Sequence, residues 1–302
     1  MKRAGVRCAV AALAIGLAGV AGAQDWAKAA LLKSPRHGEY VVIPEAGGRK
    51  LQAFVVYPEV KEKAPVIVLI HEIFGESDWF KEMADELAGA GYIVIAPDLL
   101  SGYGPVAAPA PMASMPGMSS DDHMHMAPAS PGAAFAPASP GGTTAFPADQ
   151  VTRAVMALPE AEVTTDLDAA ADYGKKLPAA NGKLYVAGFC WGGSKSFLYA
   201  THRKDLSAAF VFYGTPPTAD AMKNITAPVY GFYAANDARV TSTVPQATTD
   251  MKAAGKVYEP VVYDGAGHGF MRAGEAPDAT AANSAARAEG FRRLVKLLGG
   301  VR

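Results

Sequence analysis

Cysteine is nearly missing from this chain. There are two in 302 residues, and the first, Cys8, falls in an N-terminal stretch read below as a removable signal. A single remaining thiol, Cys190, cannot close an internal disulfide, so a disulfide framework is excluded and the residue needs another explanation. Net charge is nearly missing too. At −1 it offers no electrostatic footing for a nucleic-acid partner. The apolar run from Cys8 to Ala23 falls short of the about 20 residues that a membrane span requires.

What is present begins with that run. Lys2, Arg3 and Arg7 precede it and Ala21-Gly22-Ala23 ends it, the pattern of a secretory signal cut before Gln24. An uncleaved anchor is the alternative. A lipoprotein signal would carry cysteine at the cut, whereas Cys8 lies at the other end. The expectation is a periplasmic or secreted protein with no stable membrane insertion after cleavage of residues 1–23. Removing three of the 28 basic residues leaves 25 against 29 acidic ones, a mature charge of −4. With 50% hydrophobic and 19% charged residues, a globular protein with a sizeable core is expected.

From Glu39 onward, short apolar runs alternate with helical periods. Segments 39–43 and 51–58 read as two β-strands. Residues 65–72 (PVIVLIHE) and 92–100 (YIVIAPDLL) are continuous apolar runs, as expected of strands buried on both faces. Further strands fall over 183–189, 208–214, 228–237 and 257–268. Helical spacing covers 77–91, opened by Ser77 or Asp78, then 160–177, 191–202, 243–254 and 279–298. This alternation predicts one α/β domain over 24–302, with a mostly parallel central sheet and helices on both faces. Residues 101–150 interrupt it. They hold 9 of the 22 prolines and 5 of the 11 methionines but three charges, with no helical or strand period, and so read as a mobile insertion.

Gly188-Phe189-Cys190-Trp191-Gly192 runs from a strand into a helix and has the form of a nucleophile elbow, with cysteine in place of serine. The nucleophile must project from a strained turn, and glycines two residues either side leave room for helix and strand to touch. The helix N-terminus is expected to favour a thiolate. The Trp191 N–H would supply half of an oxyanion hole. A structural cysteine in the core is the other reading. Asp237 and His268 both lie just past predicted strands, in the order nucleophile, acid, histidine. Parallel topology would bring their loops to one edge, where His268 takes the thiol proton and Asp237 fixes its tautomer. Alternatively, Asp237 caps the following helix and His268 is a loop residue. His37 and His202 receive no role.

The segments HEIFG (71–75), APDLL (96–100), GFCWGG (188–193), FYG (212–214), ND (236–237) and GAGHGFMR (265–272) together resemble the dienelactone hydrolase family, from about Glu39 to the last helix. The resemblance implies an α/β-hydrolase working without a cofactor. It implies a Cys190–Asp237–His268 triad, an oxyanion hole of the Ile73 and Trp191 N–H groups, and Glu72 beside Cys190, helping to take its proton when substrate arrives. Arg272 would pair with Glu72 or a substrate carboxylate, Tyr213 would line the pocket, and Arg153 would correspond to a second family arginine. Trp79 and Tyr103 are further pocket candidates. From the residues alone, a carboxylate such as Glu72 at the end of a buried strand needs a partner, and Arg272 is available. An ordinary structural ion pair is the alternative.

A thiol with a reference pKa of about 8.5 leaves a tetrahedral intermediate more readily than an alkoxide whose conjugate acid resembles water at about 15.7. Enol lactones, aryl esters and thioesters have better leaving groups, so activated esters are the expected substrates. A thioesterase or general carboxylesterase on the same scaffold is the alternative. The insertion suggests another class. Met112, Met115, Met118, His123, Met124, His125 and Met126 offer thioether and imidazole ligands suited to copper. A lid over the pocket or a passive linker are the other readings of that segment. Oligomeric state is not legible in the sequence.

Overall fold

The computed structural model describes residues 24–44, 49–104 and 142–300. The expected signal (1–23) and the candidate copper ligands Met112 to Met126 lie outside the described residues. In chain order the elements are α1 (Asp25–Leu31), β1 (Gly38–Pro44), β2 (Lys50–Val56), β3 (Ala64–Ile70), α2 (Asp78–Gly89), β4 (Ile93–Asp98), α3 (Ala148–Met156) and α4 (Glu160–Lys176). There follow β5 (Ala180–Phe189), α5 (Trp191–His202), β6 (Ala208–Phe212), α6 (Ala219–Met222), β7 (Val229–Asn236), α7 (Ala238–Thr241), α8 (Val244–Ala253), β8 (Tyr258–Gly267), α9 (Phe270–Ala273) and α10 (Ala281–Gly300).

The eight strands form one sheet in the order β1-β2-β4-β3-β5-β6-β7-β8. Only β2 is reversed; all neighbours from β4 to β8 run parallel. This is the α/β architecture the apolar runs predict. Every residue of β3 is buried because each face has its own helical layer. Val66, Val68 and Ile70 pack with Val163 and Leu167 of α4, Phe197 of α5 and Met251 of α8. Ile67 and Leu69 point the other way, towards Phe80, Met83 and Leu87 of α2 and Leu294 and Leu298 of α10. The period of two along the strand separates the layers. Ser77 caps α2, its hydroxyl accepting from the Phe80 N–H at 3.3 Å.

Five helices fall where the sequence reading places none: α1, α3 and the four-residue α6, α7 and α9. α1 buries Ala27 and Leu31, and the Gln24 side-chain oxygen accepts from the Trp79 N–H at 2.9 Å. α3 begins inside the stretch read as structureless, burying Val151 and Val155 beside Leu100 and Trp191. Just before it, Thr143 fastens the returning chain to the end of β4. Its N–H donates to Asp98 at 2.6 Å, its hydroxyl donates to the same carboxylate at 2.8 Å, and that hydroxyl accepts from the Glu76 N–H at 3.0 Å.

This clasp holds a carboxyl in an unusual state. Burial and the nearby Asp98 push Glu76 up to about 8; one of its oxygens accepts from the Tyr40 hydroxyl at 2.7 Å, and the other has no partner among the described residues. The folded state therefore holds a proton that the unfolded chain releases near 4.5. The contribution to stability is complete below 4.5 and disappears as pH rises through about 8. Urea unfolding of Glu76→Gln should remove most of this term, on the order of 2–5 kcal/mol between pH 5 and 9. Parallel pH dependence in wild type and variant would contradict the assignment.

Candidate active site

Because β3 and β5 to β8 are parallel, their C-terminal ends lie on one edge of the sheet. Glu72 follows β3, Cys190 follows β5, Tyr213 follows β6, Asp237 follows β7 and His268 follows β8. The elbow between β5 and α5 is as tight as its glycines suggest. A Cβ on Gly188 would lie 2.0 Å from the Gly192 carbonyl oxygen, and one on Gly193 would lie 2.3 Å from that of Phe212. Cys190 occupies φ 56°, ψ −115°, a strained conformation for a residue with a Cβ, and Tyr213 has φ 40°.

The sequence-predicted residues meet at this edge. The buried Asp237 carboxylate accepts from His268 Nδ1–H at 2.5 Å, and His268 Nε2 stands 3.1 Å from Cys190 Sγ. With Nδ1 protonated, Nε2 is left to receive the thiol proton. The histidine loop is pinned from α10, where the Asn283 side-chain oxygen accepts from the Gly267 N–H at 2.9 Å. The backbone N–H groups of Trp191 and Ile73 both donate towards Sγ, and so converge where charge would gather on an attacked carbonyl.

The electrostatics differ from the expectation of a thiolate. Burial, then the Glu72 charge, push the Cys190 thiol up to about 11, against the downward pull of the Trp191 N–H, Arg239 and the Ile73 N–H. The helix terminus is outweighed, so the resting group is a neutral thiol within reach of His268 Nε2. Glu72 is itself buried and accepts from Arg272 Nε at 2.8 Å, while the guanidinium lies 5.0 Å from the Phe74 ring centre. Tyr213 places its ring 5.1 Å from the His268 ring. Its hydroxyl is buried with no partner among the described residues, and burial with the Glu72 charge holds it protonated.

Three expected pocket residues sit elsewhere. Arg153 is exposed on α3, two positions from both Val151 and Val155 and thus on the opposite side from the face packed near Trp191. Trp79 is fully buried, donating Nε1–H to Glu275 at 3.0 Å and meeting Phe189 edge-on. Tyr103 lies under Arg49 and bonds Glu162 on α4. His202 and His37, given no role, are exposed beside Asp168 and Glu39. Two residues at the site escaped the sequence reading. Arg239, exposed on the first turn of α7, acts electrostatically on Cys190. His71, fully buried, has its ring stacked on Trp191. Among the described residues the carboxylates of Glu82, Glu86 and Glu275 are close enough together to hold a metal ion, but Arg287 already pairs with Glu86 and Glu275.

Residues 51–301 match the model of the dienelactone hydrolase family. The chain belongs to the dienelactone hydrolase family. Among curated relatives, it is 28% identical over 242 residues to the "Putative carboxymethylenebutenolidase" of Methylorubrum extorquens, covering 76% of this chain and 71% of that one. It is 25% identical over 235 residues to the "Carboxymethylenebutenolidase" of Pseudomonas putida, covering 78% and 86%. Its fold is similar to the crystal structure of a "Putative Dienelactone Hydrolase" from Klebsiella pneumoniae, with a TM-score of 0.65, 25% identity, and coverage of 86% of this chain and 97% of that one. This dienelactone hydrolase family member is thus an α/β-hydrolase acting on ester bonds. No described helix is long and apolar enough to cross a membrane.

Proposed function

We propose that the protein hydrolyses enol lactones and other activated esters by covalent catalysis at Cys190. The observation that carries the reading is the continuous relay from Sγ through His268 to Asp237, with two backbone donors facing the sulfur. Sγ attacks the ester carbonyl carbon while its proton passes to His268 Nε2, and the carbonyl electrons move onto oxygen opposite the Ile73 and Trp191 N–H groups. Collapse expels the enolate or aryl oxide, which takes the proton from His268 and leaves a thioester on Cys190. Water, deprotonated by His268, then attacks the thioester and releases the carboxylic acid and the thiol. The printed names of the curated relatives support an enol lactone as the substrate class.

The neutral resting thiol gives Glu72 a role. While Arg272 holds Glu72, the thiol keeps its proton. With a substrate carboxylate that draws Arg272 away, Glu72 is left buried and unpaired beside the sulfur and takes the thiol proton in place of His268, later passing it to the departing enolate or aryl oxide. Arg272→Ala should accordingly raise KM for esters bearing a carboxylate about tenfold more than for neutral ones, the worth of one charge-assisted hydrogen bond. Equal increases on both would contradict this role. Export directed by residues 1–23 is part of the same proposal and rests on the sequence alone.

The test is a panel of aryl esters, thioesters and enol lactones assayed on wild type and Cys190→Ala together. Rapid, cysteine-dependent turnover of enol lactones and aryl esters is expected. A marked preference for thioesters would reassign the scaffold to thioester hydrolysis, and turnover by the alanine variant would overturn covalent catalysis.

A further inference from the structure

His71 follows the last residue of β3, is fully buried, and takes no part in the proton relay. Its surroundings nevertheless connect it to both backbone donors at Cys190. Nδ1 lies 2.7 Å from the Glu72 carbonyl oxygen. Since a carbonyl only accepts, Nδ1 carries the ring proton, in keeping with a bare Nε2 that is buried and has no partner among the described residues. The Glu72 carbonyl and the Ile73 N–H belong to one planar peptide unit, so fixing the first aims the second. The same carbonyl accepts from the Gly75 N–H at 3.2 Å, a second hold on that plane.

The other donor is reached through the ring. His71 lies 5.6 Å from the Trp191 ring centre at an interplanar angle of 11°, and the Lys195 ammonium lies 5.4 Å from that indole. Phe80 meets the His71 ring edge-on at 5.8 Å, fixing it from a further side. The backbone is equally close: a Cβ on Gly192 would be 2.4 Å from the carbonyl oxygens of both Ile70 and His71. Burial lowers the imidazole pKa and so keeps the ring neutral, with Asp98 opposing.

We propose that His71 is a positioning residue that aligns both oxyanion donors, the Ile73 N–H through the Glu72 carbonyl and the Trp191 N–H through ring stacking. The inference rests on the covalent reading above and concerns how its transition state is held. Because the donors are displaced and not removed, the effect should be smaller than deletion of one donor, which is worth about 10²–10³ in kcat.

The experiment compares wild type, His71→Phe and His71→Asn, with Cys190→Ala as control. Phenylalanine keeps the stacked ring and loses the N–H; asparagine carries an amide N–H near the place of Nδ1. Each is assayed on an aryl ester, on a trifluoromethyl ketone that adds reversibly to the thiol and develops the oxyanion, and on the matching alcohol that cannot. His71→Phe should lower kcat and ketone affinity together by about 10- to 100-fold while leaving KM and alcohol affinity within about twofold, and His71→Asn should recover a substantial part. Unchanged kcat and ketone affinity in His71→Phe would overturn the inference. So would equal losses for ketone and alcohol, which would mark a merely structural residue. Turnover surviving in Cys190→Ala would instead count against the covalent reading, so the two failures are distinguishable.

Discussion

Replacing Cys190 by alanine should reduce turnover of activated esters by at least about 10⁴-fold, because a nucleophile and its base act as one unit. The variant should fold as wild type does, since only a half-buried sulfur is removed and Ala tolerates the elbow no worse than Cys. Cys190→Ser is the sharper comparison. It keeps the relay geometry but offers a hydroxyl far less acidic than a thiol, at a position where burial and the Glu72 charge already hold the proton on. Slight activity at most is expected. Serine at full rate would mean that the protein does not depend on sulfur, and the argument for good leaving groups would lose its basis.

The second large effect concerns folding. Gly192→Ala places a Cβ 2.4 Å from two carbonyl oxygens of the chain leaving β3, and neither backbone atom can yield without moving the centre of the sheet. A loss of more than about 4 kcal/mol, or failure to accumulate soluble protein, is expected, at the extreme of single-residue effects. Gly255→Ala is the control. That glycine has φ +68° but open space around its Cβ position, so the substitution should lose only about 1 kcal/mol. Chemical unfolding of the two variants side by side measures the difference. Similar small losses would mean that the elbow has more room than the structure gives it.

The contrast between these glycines shows what sequence could convey. Residues 188–193 read as an elbow because the pattern is local: strand, turn and helix lie within a few residues, and the glycines mark where backbones touch. Asp237 and His268 were readable through topology alone, since parallel strands bring their ends to one edge whatever the intervening chain contains. The Thr143 clasp on Asp98 was not legible. Its partners are 45 positions apart across a low-complexity stretch, and nothing in either neighbourhood identifies the other. α3 was hidden for the same reason, as a nine-residue helix adjoining a proline-rich segment.

The thiolate expected from the helix terminus and the neutral thiol of the structure differ for a physical reason. A helix N-terminus does favour negative charge, and the Trp191 N–H does pull the Cys190 pKa down, but burial and the Glu72 carboxylate pull harder the other way. Sequence places the helix end and cannot weigh it against desolvation, which depends on the residues folded over the sulfur. His71 has no assigned role in the sequence reading; only its bond to the Glu72 carbonyl and its stacking on Trp191 connect it to the reacting centre.

The most direct measurement is the intact mass of protein quenched in acid during the first turnover of an aryl ester, followed by mapping of the modified peptide. A mass gain equal to the acyl group, located on Cys190, released by hydroxylamine and missing from Cys190→Ala, is the expected result. Steady hydrolysis with no adduct on Cys190, or with the acyl group on another residue, would contradict it.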